Sequence, residues 1–361
     1  MIEAIRALGA TVDVQQDILL VKGTGGVLLK PKQHIECGNS GQVLRFIAAL
    51  GAITTHPIAL QGDNSIAKLR LTQPLVEGLQ QLGVKVKTSP LTVQGPLQPG
   101  TARFSGLDSQ PVSALLMACS FLSEPTELFV HDPHEQPWID LTLYWLKKFG
   151  AKVEHRDHQY YRIEGGLSID GFDVTIPADF SSAAFPLAAA LLTNRELHIE
   201  NLDFNDPQGD KELFLLLKQD FQGGEVDINR FIDGVPILAV FACYGKKTTR
   251  IINAYPARFK ESDRLQAMQT ELQKMGAKIE STQDTLTIYP SALRGVNLFS
   301  HHDHRIAMAL SIAALCAKGP STIDSIACID KSYPNFIHDM QTIGYDFKKA
   351  TPDSLWISGS R

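Results

Sequence analysis

The sequence Lys274-Met275-Gly276-Ala277 ends an amphipathic helix, and similar phrases recur along the chain. The related phrases are Ala7-Leu8-Gly9-Ala10, Gln81-Leu82-Gly83-Val84, Lys148-Phe149-Gly150-Ala151 and Thr342-Ile343-Gly344-Tyr345. A glycine directly after a helix-period pattern is a helix stop signal. Two short strands are predicted after these glycines, the second strand closing at Leu19–Gly23, Leu91–Gly95, Tyr161–Gly165 and Leu355–Gly359. Repetition on this scale indicates a fold assembled from one supersecondary unit.

The other half of each repeat is an almost entirely apolar helix followed by a strand. The helices are predicted at Gly41–Leu50, Pro111–Leu122, Ala183–Leu192, Gly234–Cys243 and Ile306–Cys316. The strands are predicted at Ile58–Gln61, Glu127–His131, Glu196–Glu200, Thr249–Asn253 and Thr322–Ala327. A helix that is apolar on all sides is a buried helix. The repeat is therefore buried helix, strand, amphipathic helix, glycine, strand and strand.

Two of the repeats are predicted to be incomplete. The first contains its amphipathic helix and its strand pair but no buried helix. The fourth runs from the helix around Leu213–Leu217 into Asp220–Gly224 with neither the glycine phrase nor the strand pair. We expect an α/β protein of two domains, residues 1–176 with repeats one to three and residues 177–361 with repeats four to six.

Composition and charge exclude several classes of protein. The chain has 361 residues, 44% of them hydrophobic and 20% charged, and a net charge of −5. That charge argues against a general nucleic-acid-binding protein, and no segment reaches the roughly eighteen consecutive apolar residues of a membrane span. The five cysteines have neither metal-ligand nor disulfide spacing, and no signal-like leader follows Met1. We expect a cytoplasmic protein that binds neither nucleic acid nor membrane.

Polar and charged residues gather where the helices begin. Arg258-Phe259-Lys260-Glu261-Ser262-Asp263-Arg264 opens a helix with the buried stripe Leu265, Met268, Leu272 and Met275. The buried helices begin at Gly38-Asn39-Ser40-Gly41, Asp108-Ser109-Gln110, Asp179-Phe180-Ser181-Ser182, Asp233-Gly234 and Asp303-His304-Arg305. Helix N-termini attract anions, so in a two-domain protein these ends could converge on one anion-binding cleft. Ordinary capping explains Asp179 equally well, whereas Arg305 opposes the helix dipole unless an anion is bound.

Several of these motifs together resemble the EPSP synthase family, the 3-phosphoshikimate 1-carboxyvinyltransferases. They are Lys260-Glu261-Ser262-Asp263-Arg264, Asp303-His304-Arg305-Ile306-Ala307-Met308, Lys331-Ser332-Tyr333-Pro334, Gly38-Asn39-Ser40-Gly41, Ser109-Gln110 with Ser113-Ala114-Leu115-Leu116-Met117, and Pro137-Trp138-Ile139-Asp140. The resemblance covers essentially the whole chain in order. It implies a two-domain enolpyruvyl transferase-like fold of repeated β-α-β-α-β-β units, an inside-out α/β barrel, with incomplete first and fourth units.

The resemblance also implies the substrates and the residues that bind them. The substrates would be phosphoenolpyruvate and shikimate 3-phosphate, handled by a monomer with no organic cofactor and no metal. The implied phosphoenolpyruvate pocket comprises Asn39, Gly41, Arg70, Gln110, Arg264, Arg305 and Lys331. The implied shikimate 3-phosphate site comprises Ser109, Gln110, Trp138, Asp233 and Lys260. Guanidinium groups bind carboxylates and phosphates bidentately, which suits the arginines to this role.

The implied reaction is an addition followed by an elimination in the shikimate pathway to chorismate and aromatic amino acids. The 5-hydroxyl of shikimate 3-phosphate attacks C2 of phosphoenolpyruvate while C3 is protonated, and inorganic phosphate then leaves. We expect Asp233 to be the base and Glu261 the acid, because two carboxylates in different environments can take opposite roles. His304 could assist or act as a structural donor. Arg45, one turn into a buried helix, is expected to reach the cleft wall or a carboxylate.

The chain departs from the family pattern at several places, which keeps alternatives open. Asp108 and Glu135 stand where serines meet the shikimate phosphate, and Gln42, Trp138 and Pro256 are further substitutions. The family's Lys-Ser and Arg segment ahead of the first buried helix has no counterpart here. A catalytically impaired remnant or binding module is therefore one alternative. Another is UDP-N-acetylglucosamine enolpyruvyl transferase, although its loop cysteine is absent from Asp63–Leu71.

Overall fold

The chain divides into two compact units, which we call the N-terminal lobe (Met1–Asp173) and the C-terminal lobe (Val174–Arg361). The computed structural model describes residues 1–63, 66, 72–219 and 221–359. The domain ranges 1–176 and 177–361 stay a prediction. Among the described residues, no helix is long and apolar enough to cross a membrane.

The N-terminal lobe is an alternation of helices and short strands. Its elements are α1 (Ile2–Ala7), β1 (Thr11–Gln15), β2 (Ile18–Lys22), β3 (Ile35–Glu36), α2 (Gly41–Gly51), β4 (Ile58–Gln61), α3 (Gln73–Gln81), β5 (Lys85–Thr88), β6 (Leu91–Gln94), β7 (Thr101–Ser105), α4 (Ser109–Ser120), β8 (Thr126–His131), α5 (Gln136–Lys148), β9 (Val153–Arg156) and β10 (Tyr160–Ile163). Pro74 and Pro137 lie in the first turns of α3 and α5, where a missing N–H breaks no helical bond.

The C-terminal lobe repeats this alternation. Its elements are α6 (Phe180–Thr193), α7 (Lys211–Lys218), β11 (Gly224–Asp227), α8 (Val235–Cys243), β12 (Thr249–Ile252), α9 (Arg264–Lys274), β13 (Ile279–Ser281), β14 (Leu286–Ile288), β15 (Asn297–Phe299), α10 (His304–Cys316), β16 (Ser321–Asp324), α11 (Phe336–Thr342), β17 (Phe347–Thr351) and β18 (Ser354–Ile357). Short 3₁₀ helices cover Asn229–Gly234, Tyr255–Phe259 and Ile326–Lys331. The strand expected at Thr322–Ala327 ends earlier, at Asp324, because the third of these 3₁₀ helices begins at Ile326.

Four sheets of four strands share one topology. Their strand orders are β3-β4-β6-β5, β7-β8-β10-β9, β11-β12-β14-β13 and β15-β16-β18-β17. In each sheet the first two strands are parallel and the other pairings are antiparallel. The first strand reaches the second through a buried helix, and the second reaches the third through an amphipathic helix. The predicted β-α-β-α-β-β repeat is thereby confirmed.

The buried helices form the centre of each lobe. Every residue of α8 and of α10 is buried, as expected for helices that are apolar on all sides. One apolar core contains α6, α8 and α10, and a second contains α2 and α4. The amphipathic α9 turns one face to its core, and its predicted stripe of Leu265, Met268, Leu272 and Met275 is fully buried.

Two repeats lack a four-stranded sheet. In the first, α1 is followed by the antiparallel pair β1-β2 alone. In the fourth, α6 and α7 are joined by residues 194–210, which form no strand. The strand predicted at Glu196–Glu200 is therefore wrong. In the complete sheets the equivalent strand lies between the first and the fourth strands, and without such neighbours its backbone groups have no ladder partners.

Glycines after the fourth strands allow the chain to touch the end of a buried helix. A Cβ atom on Gly95 would lie 1.8 Å from the Ala52 carbonyl oxygen, just beyond α2. On Gly165 it would lie 2.3 Å from the carbonyl oxygen of Leu122, and on Gly359 2.3 Å from that of Gly319. A side chain at these positions would push strand and helix apart, so only glycine fits.

We expect Gly95→Ala to lower the free energy of unfolding by about 1–3 kcal/mol, because overpacking forces a backbone shift. Gly171→Ala is the matched control, since a Cβ there has nothing within 4 Å. Urea denaturation of both variants measures the difference. Equal stability of the two variants would contradict the close approach described here.

Candidate active site

Acidic and hydroxyl side chains cap most of the buried helices, as the sequence indicated. Ser40 accepts a hydrogen bond from the Val43 N–H at the start of α2, and Asp108 from the Gln110 N–H at the start of α4. In the C-terminal lobe, Asp179 caps α6 and Asp303 caps α10 in the same way. These four residues are therefore helix caps. Asp233 differs, because α8 begins after Gly234 without a side-chain cap.

Asp233 is instead held between two arginines of the C-terminal lobe. Its Oδ1 lies 2.6 Å from Arg264 Nη1, and its Oδ2 lies 3.1 Å from Arg305 Nη2. Arg305 Nη2 also donates to Ser181 Oγ at 3.1 Å. The side chain of Asp233 keeps 21% exposure, whereas that of Arg264 keeps 1%. Asp233 is therefore the accessible end of a buried ion-pair network.

Arg264 is the centre of that network. Besides Asp233, its Nη2 donates to Glu261 Oε2 at 2.8 Å and its Nε to Asp303 Oδ2 at 2.8 Å. The Ser262 hydroxyl donates to the same Asp303 oxygen at 3.0 Å. Lys331 Nζ contacts the other oxygen of Glu261. One guanidinium thus fixes three carboxylates, which brings together residues that are far apart in the sequence.

The charges of this network shift the pKa values of its members. Burial alone would raise the pKa of Asp233, but Arg305, Arg264 and Lys260 outweigh it and hold that pKa far below its usual value. Burial likewise opposes ionisation of Asp303, yet Arg264 keeps its pKa low. For Arg264 the penalty of burial is overcome by Asp303, Asp233 and Glu261, so its pKa is raised. These residues are therefore ionised at neutral pH.

His304 lies in the first turn of α10 beside this network. Burial lowers its pKa to about 4, although the neighbouring Asp303 acts in the opposite direction. Its Nδ1 is 3.8 Å from Asp303 Oδ1, which is too far for a hydrogen bond. The imidazole is therefore neutral at physiological pH, and its Nδ1 has no hydrogen-bond partner among the described residues.

Glu261, Asp303 and His304 place one potential ligand atom each within 4.8 Å of one another, a spacing that a metal ion could use. Arg264 and Lys331 already occupy oxygens of both carboxylates. A metal cation would have to compete with these two cations at close range, so the donor set does not suit a metal. The absence of metal and cofactor stays a prediction.

The N-terminal lobe contains a similar but smaller network at the start of α4. Arg45, fully buried on α2, lies 3.0 Å from Asp108 Oδ2 through Nη2, and its Nη1 contacts Gln110 Oε1 at 2.5 Å. The expectation that Arg45 reaches a carboxylate is confirmed. The hydroxyl of Ser109 donates to Glu135 Oε2 at 2.8 Å. Asp108 and Glu135 are therefore both partnered within the lobe.

The remaining predicted residues lie at the beginnings of the helices. Asn39 is half-buried in the turn before α2, Gly41 begins that helix, and Trp138 is half-buried in the first turn of α5. Lys260 is buried in the C-terminal lobe, where its charge acts on Asp233. Arg70 lies outside the described residues.

Sequence reasoning missed several contacts of the site. It placed Asp303 and Ser181 only at the beginnings of buried helices, whereas Asp303 also binds Arg264 and Ser181 binds Arg305. The pairing of Arg45 with Gln110 was likewise not foreseen. A signal for Asp303 existed: a buried arginine needs carboxylates, and Asp303 precedes a helix in the same lobe.

Comparisons with known proteins agree with one another. The model of the family EPSP synthase (3-phosphoshikimate 1-carboxyvinyltransferase) matches residues 1–220 and 215–340. The 3-phosphoshikimate 1-carboxyvinyltransferase of Chlamydia caviae is 39% identical over 100% of this chain and 86% of the relative, and that of Chlamydia pneumoniae is 37% identical over the same shares.

A solved EPSP synthase from Acinetobacter baumannii has a TM-score of 0.75 at 24% identity, covering 95% of this chain and 86% of that one. The enolpyruvyl transferase NikO from Streptomyces tendae has a TM-score of 0.70 at 16% identity, covering 99% and 87%.

We expect Arg45→Met to destabilise the chain by about 3–5 kcal/mol, because it leaves the buried Asp108 carboxylate without its cation. The double variant Arg45→Met with Asp108→Asn should recover part of that loss, since the uncompensated charge is gone. Thermal or urea unfolding of the two variants tests this. A double variant no more stable than the single one would argue against the ion pair.

Stability should also depend on pH through His304. Its folded-state pKa of about 4 lies below its ordinary value of 6.5, so the unfolded chain binds the proton first as the pH falls. The contribution of the neutral His304 to the free energy of unfolding is fully present above pH 6.5 and is lost as the pH falls towards 4. The loss amounts to up to about 3 kcal/mol, at 1.36 kcal/mol per pH unit. His304→Gln should flatten this slope, whereas His198→Gln, at a side chain 87% exposed, should not. Identical slopes for both variants would contradict the assignment.

Proposed function

The chain belongs to the EPSP synthase (3-phosphoshikimate 1-carboxyvinyltransferase) family, and from that premise we propose that it transfers the carboxyvinyl group of phosphoenolpyruvate to the 5-hydroxyl of shikimate 3-phosphate. Inorganic phosphate is the second product. The observation that carries the proposal for this chain is the ion-pair network around Arg264, which offers cations and carboxylates at one place.

Arg305 is the member of this network best prepared to receive an anion. Its Nη2 is shared between Asp233 and Ser181, while its buried Nε has no hydrogen-bond partner among the described residues. A buried donor without an acceptor is costly, and an anionic oxygen would satisfy it. We therefore assign the phosphate or carboxylate of phosphoenolpyruvate to Arg305, together with Arg264 and Lys331.

The balance of charge requires the network to rearrange when substrate binds. Four cations (Lys260, Arg264, Arg305 and Lys331) face three carboxylates (Asp233, Glu261 and Asp303), an excess of one positive charge. Phosphoenolpyruvate and shikimate 3-phosphate are multiply charged anions. They must draw a guanidinium away from a carboxylate or use further cations. Asn39, Gly41, Arg70, Ser109, Gln110 and Trp138 remain the proposed partners in the N-terminal part of the chain.

This rearrangement gives Asp233 its role as the base. Paired with two arginines it is a weak base, because they hold its pKa far below the usual value. An anion that engages Arg305 competes for one of these pairings, so the pKa of Asp233 rises in the complex. Asp233 then accepts the proton of the 5-hydroxyl of shikimate 3-phosphate, while the oxygen of that hydroxyl attacks C2 of phosphoenolpyruvate.

Glu261 is the proposed acid. As the new C2–O bond forms, Glu261 relays a proton from Lys331, which contacts one of its oxygens, to C3, and C3 becomes a methyl group. In the second step C3 returns a proton to the Glu261 carboxylate, the double bond between C2 and C3 forms again, and the C2–O bond to phosphate breaks. His304, neutral and buried beside Asp303, is the residue proposed to assist these proton transfers.

The test is steady-state turnover, measured as phosphate released when both substrates are supplied. Asp233→Asn and Glu261→Gln should each lower kcat by at least about 10²-fold, the usual range for a general acid or base. Glu225→Gln, which removes an exposed carboxylate from a surface ion pair with Arg250, is the control and should leave kcat unchanged. Turnover near wild type in both site variants would overturn the roles proposed here.

The binding-module alternative is tested by measuring the melting temperature with each substrate beside the turnover of the wild-type chain. A ligand that binds only the folded state raises the melting temperature in proportion to ln(1 + [L]/Kd). A melting temperature that rises with shikimate 3-phosphate and phosphoenolpyruvate, without phosphate release by the wild-type chain, would favour the module over the enzyme.

A further inference from the structure

The turn before α10 has an unusual backbone conformation. His301 and His302 both have a φ of 55°, in the left-handed region that residues other than glycine seldom occupy. Such residues cost conformational energy and persist where the surrounding contacts leave no alternative. Asp303, which caps α10 and binds Arg264, follows directly. The conformation of this turn therefore decides where the Asp303 carboxylate lies.

Glu271 of α9 binds this turn from one side. Its Oε1 lies 3.0 Å from His301 Nε2, and its Oε2 accepts a hydrogen bond of 3.0 Å from the Phe299 N–H. The side chain of Glu271 is 1% exposed, so these bonds are shielded from water. One buried carboxylate thus binds the residues on both sides of Ser300.

Glu271 is ionised in this position. Burial opposes its ionisation, but hydrogen bonds from His301, Lys274 and the backbone of Phe299 outweigh burial and hold the pKa of this carboxyl below its ordinary value. Lys274 Nζ lies 2.8 and 2.9 Å from the two carboxylate oxygens, and its side chain is 45% exposed. An ionised carboxylate only accepts hydrogen bonds, so Nε2 of His301 carries a hydrogen.

Ser300 holds the same turn from the other side. It is fully buried, and its hydroxyl donates to the Ser325 carbonyl oxygen at 2.8 Å and accepts from the His302 N–H at 3.1 Å. Its carbonyl oxygen accepts a hydrogen bond of 3.0 Å from the Asp303 N–H. These bonds join the turn to the segment after β16, whereas Glu271 joins it to α9.

The attachment to α9 matters because that helix also contains Arg264. Arg264 and Glu271 are seven residues apart, about two helical turns, so both side chains lie on one face of the helix. Arg264 Nε donates to Asp303 Oδ2 at 2.8 Å, and Glu271 binds the turn immediately before Asp303. Two side chains of one helix therefore hold the start of α10.

We propose, on the basis of the proposed function, that Glu271 is a positioning residue for that reaction. By holding the turn at His301 it fixes Asp303, and Asp303 in turn orients the Arg264 guanidinium that binds Asp233. Glu271 thus acts through Asp303 and not by contact with a substrate.

Hydrogen exchange at Arg264, measured by NMR, tests the positioning directly. The Arg264 Nε–H is bonded to Asp303, which protects it from exchange with water. Glu271→Ala should speed this exchange at least about tenfold, the effect of losing one hydrogen bond to a charged group. Glu271→Gln should remain within about threefold of wild type, because its amide can accept one bond from the turn and donate the other to a neutral imidazole. Unchanged exchange in Glu271→Ala, or an equal increase in Glu271→Gln, would overturn the proposal.

Lys274→Met is the matched control for the charge of the site. It removes the partly exposed cation from Glu271 and leaves both bonds to the turn in place. Exchange at Arg264 should therefore stay within about threefold of wild type, since exposed ion pairs contribute little. An increase as large as that in Glu271→Ala would show that the ion pair, and not the turn, is what Glu271 supplies, and would overturn the proposal.

Turnover tests whether this geometry matters for the reaction. Glu271→Ala should lower kcat about tenfold, measured as phosphate release at a temperature where the chain is fully folded, because small displacements of positioned groups are costly. Glu271→Gln and Lys274→Met should stay within about threefold of wild type. If the wild-type chain releases no phosphate, the proposed function fails. If the wild-type chain turns over and Glu271→Ala matches it, the positioning role alone fails.

His301→Asn keeps the test decisive if Glu271→Ala does not fold. The His301 side chain is 30% exposed, and asparagine adopts the left-handed conformation readily. Its shorter side chain gives up the bond to Glu271, so exchange at the Arg264 Nε–H should be faster by about threefold or more. Exchange at the wild-type rate in this variant would overturn the proposal.

Discussion

The ion pairs of Arg264 with three carboxylates are the constraint on which the C-terminal lobe depends. This guanidinium is 1% exposed, and burial of such a charge is tolerable only when its donors are satisfied. Its partners come from the loop before α9, from the 3₁₀ helix before α8 and from the cap of α10. Three elements are therefore fixed around one side chain. The same bonds that hold the lobe together place charged groups where the chemistry is proposed.

The N-terminal lobe follows the same principle with fewer charges. Arg45 joins α2 to the start of α4 through Asp108 and Gln110. Asp108 stands where the family resemblance expects a serine near the shikimate phosphate, and a carboxylate there would repel that phosphate. Its pairing with a fully buried arginine reduces that repulsion, because the field of the carboxylate is largely balanced at 3.0 Å. A departure from the family pattern can thus be compensated locally.

Periodic features of the fold could be predicted from the sequence, and long-range pairings could not. The stripe of α9 and the all-apolar α8 and α10 follow from local spacing, and the glycine phrase revealed the topology shared by four sheets. The strand expected at Glu196–Glu200 failed because a strand needs neighbours, which its own residues do not reveal. The contacts of Arg264 with Asp233 and Asp303 span 31 and 39 residues. Their positions at the starts of helices suggested that these charges were functional, but only the fold shows which of them meet.

The sharing of Arg305 between Asp233 and Ser181 has a consequence for the thermodynamics of ligand binding. One guanidinium cannot fully balance both the carboxylate and an arriving anion, so anion binding favours proton uptake by Asp233. The two equilibria are then linked, and the affinity for an anion declines as the pH rises towards the ligand-bound pKa of that carboxylate, above which it no longer depends on this group. The chain would therefore draw protons from the buffer when it binds its ligand, and the observed heat of binding would vary with the ionisation enthalpy of the buffer.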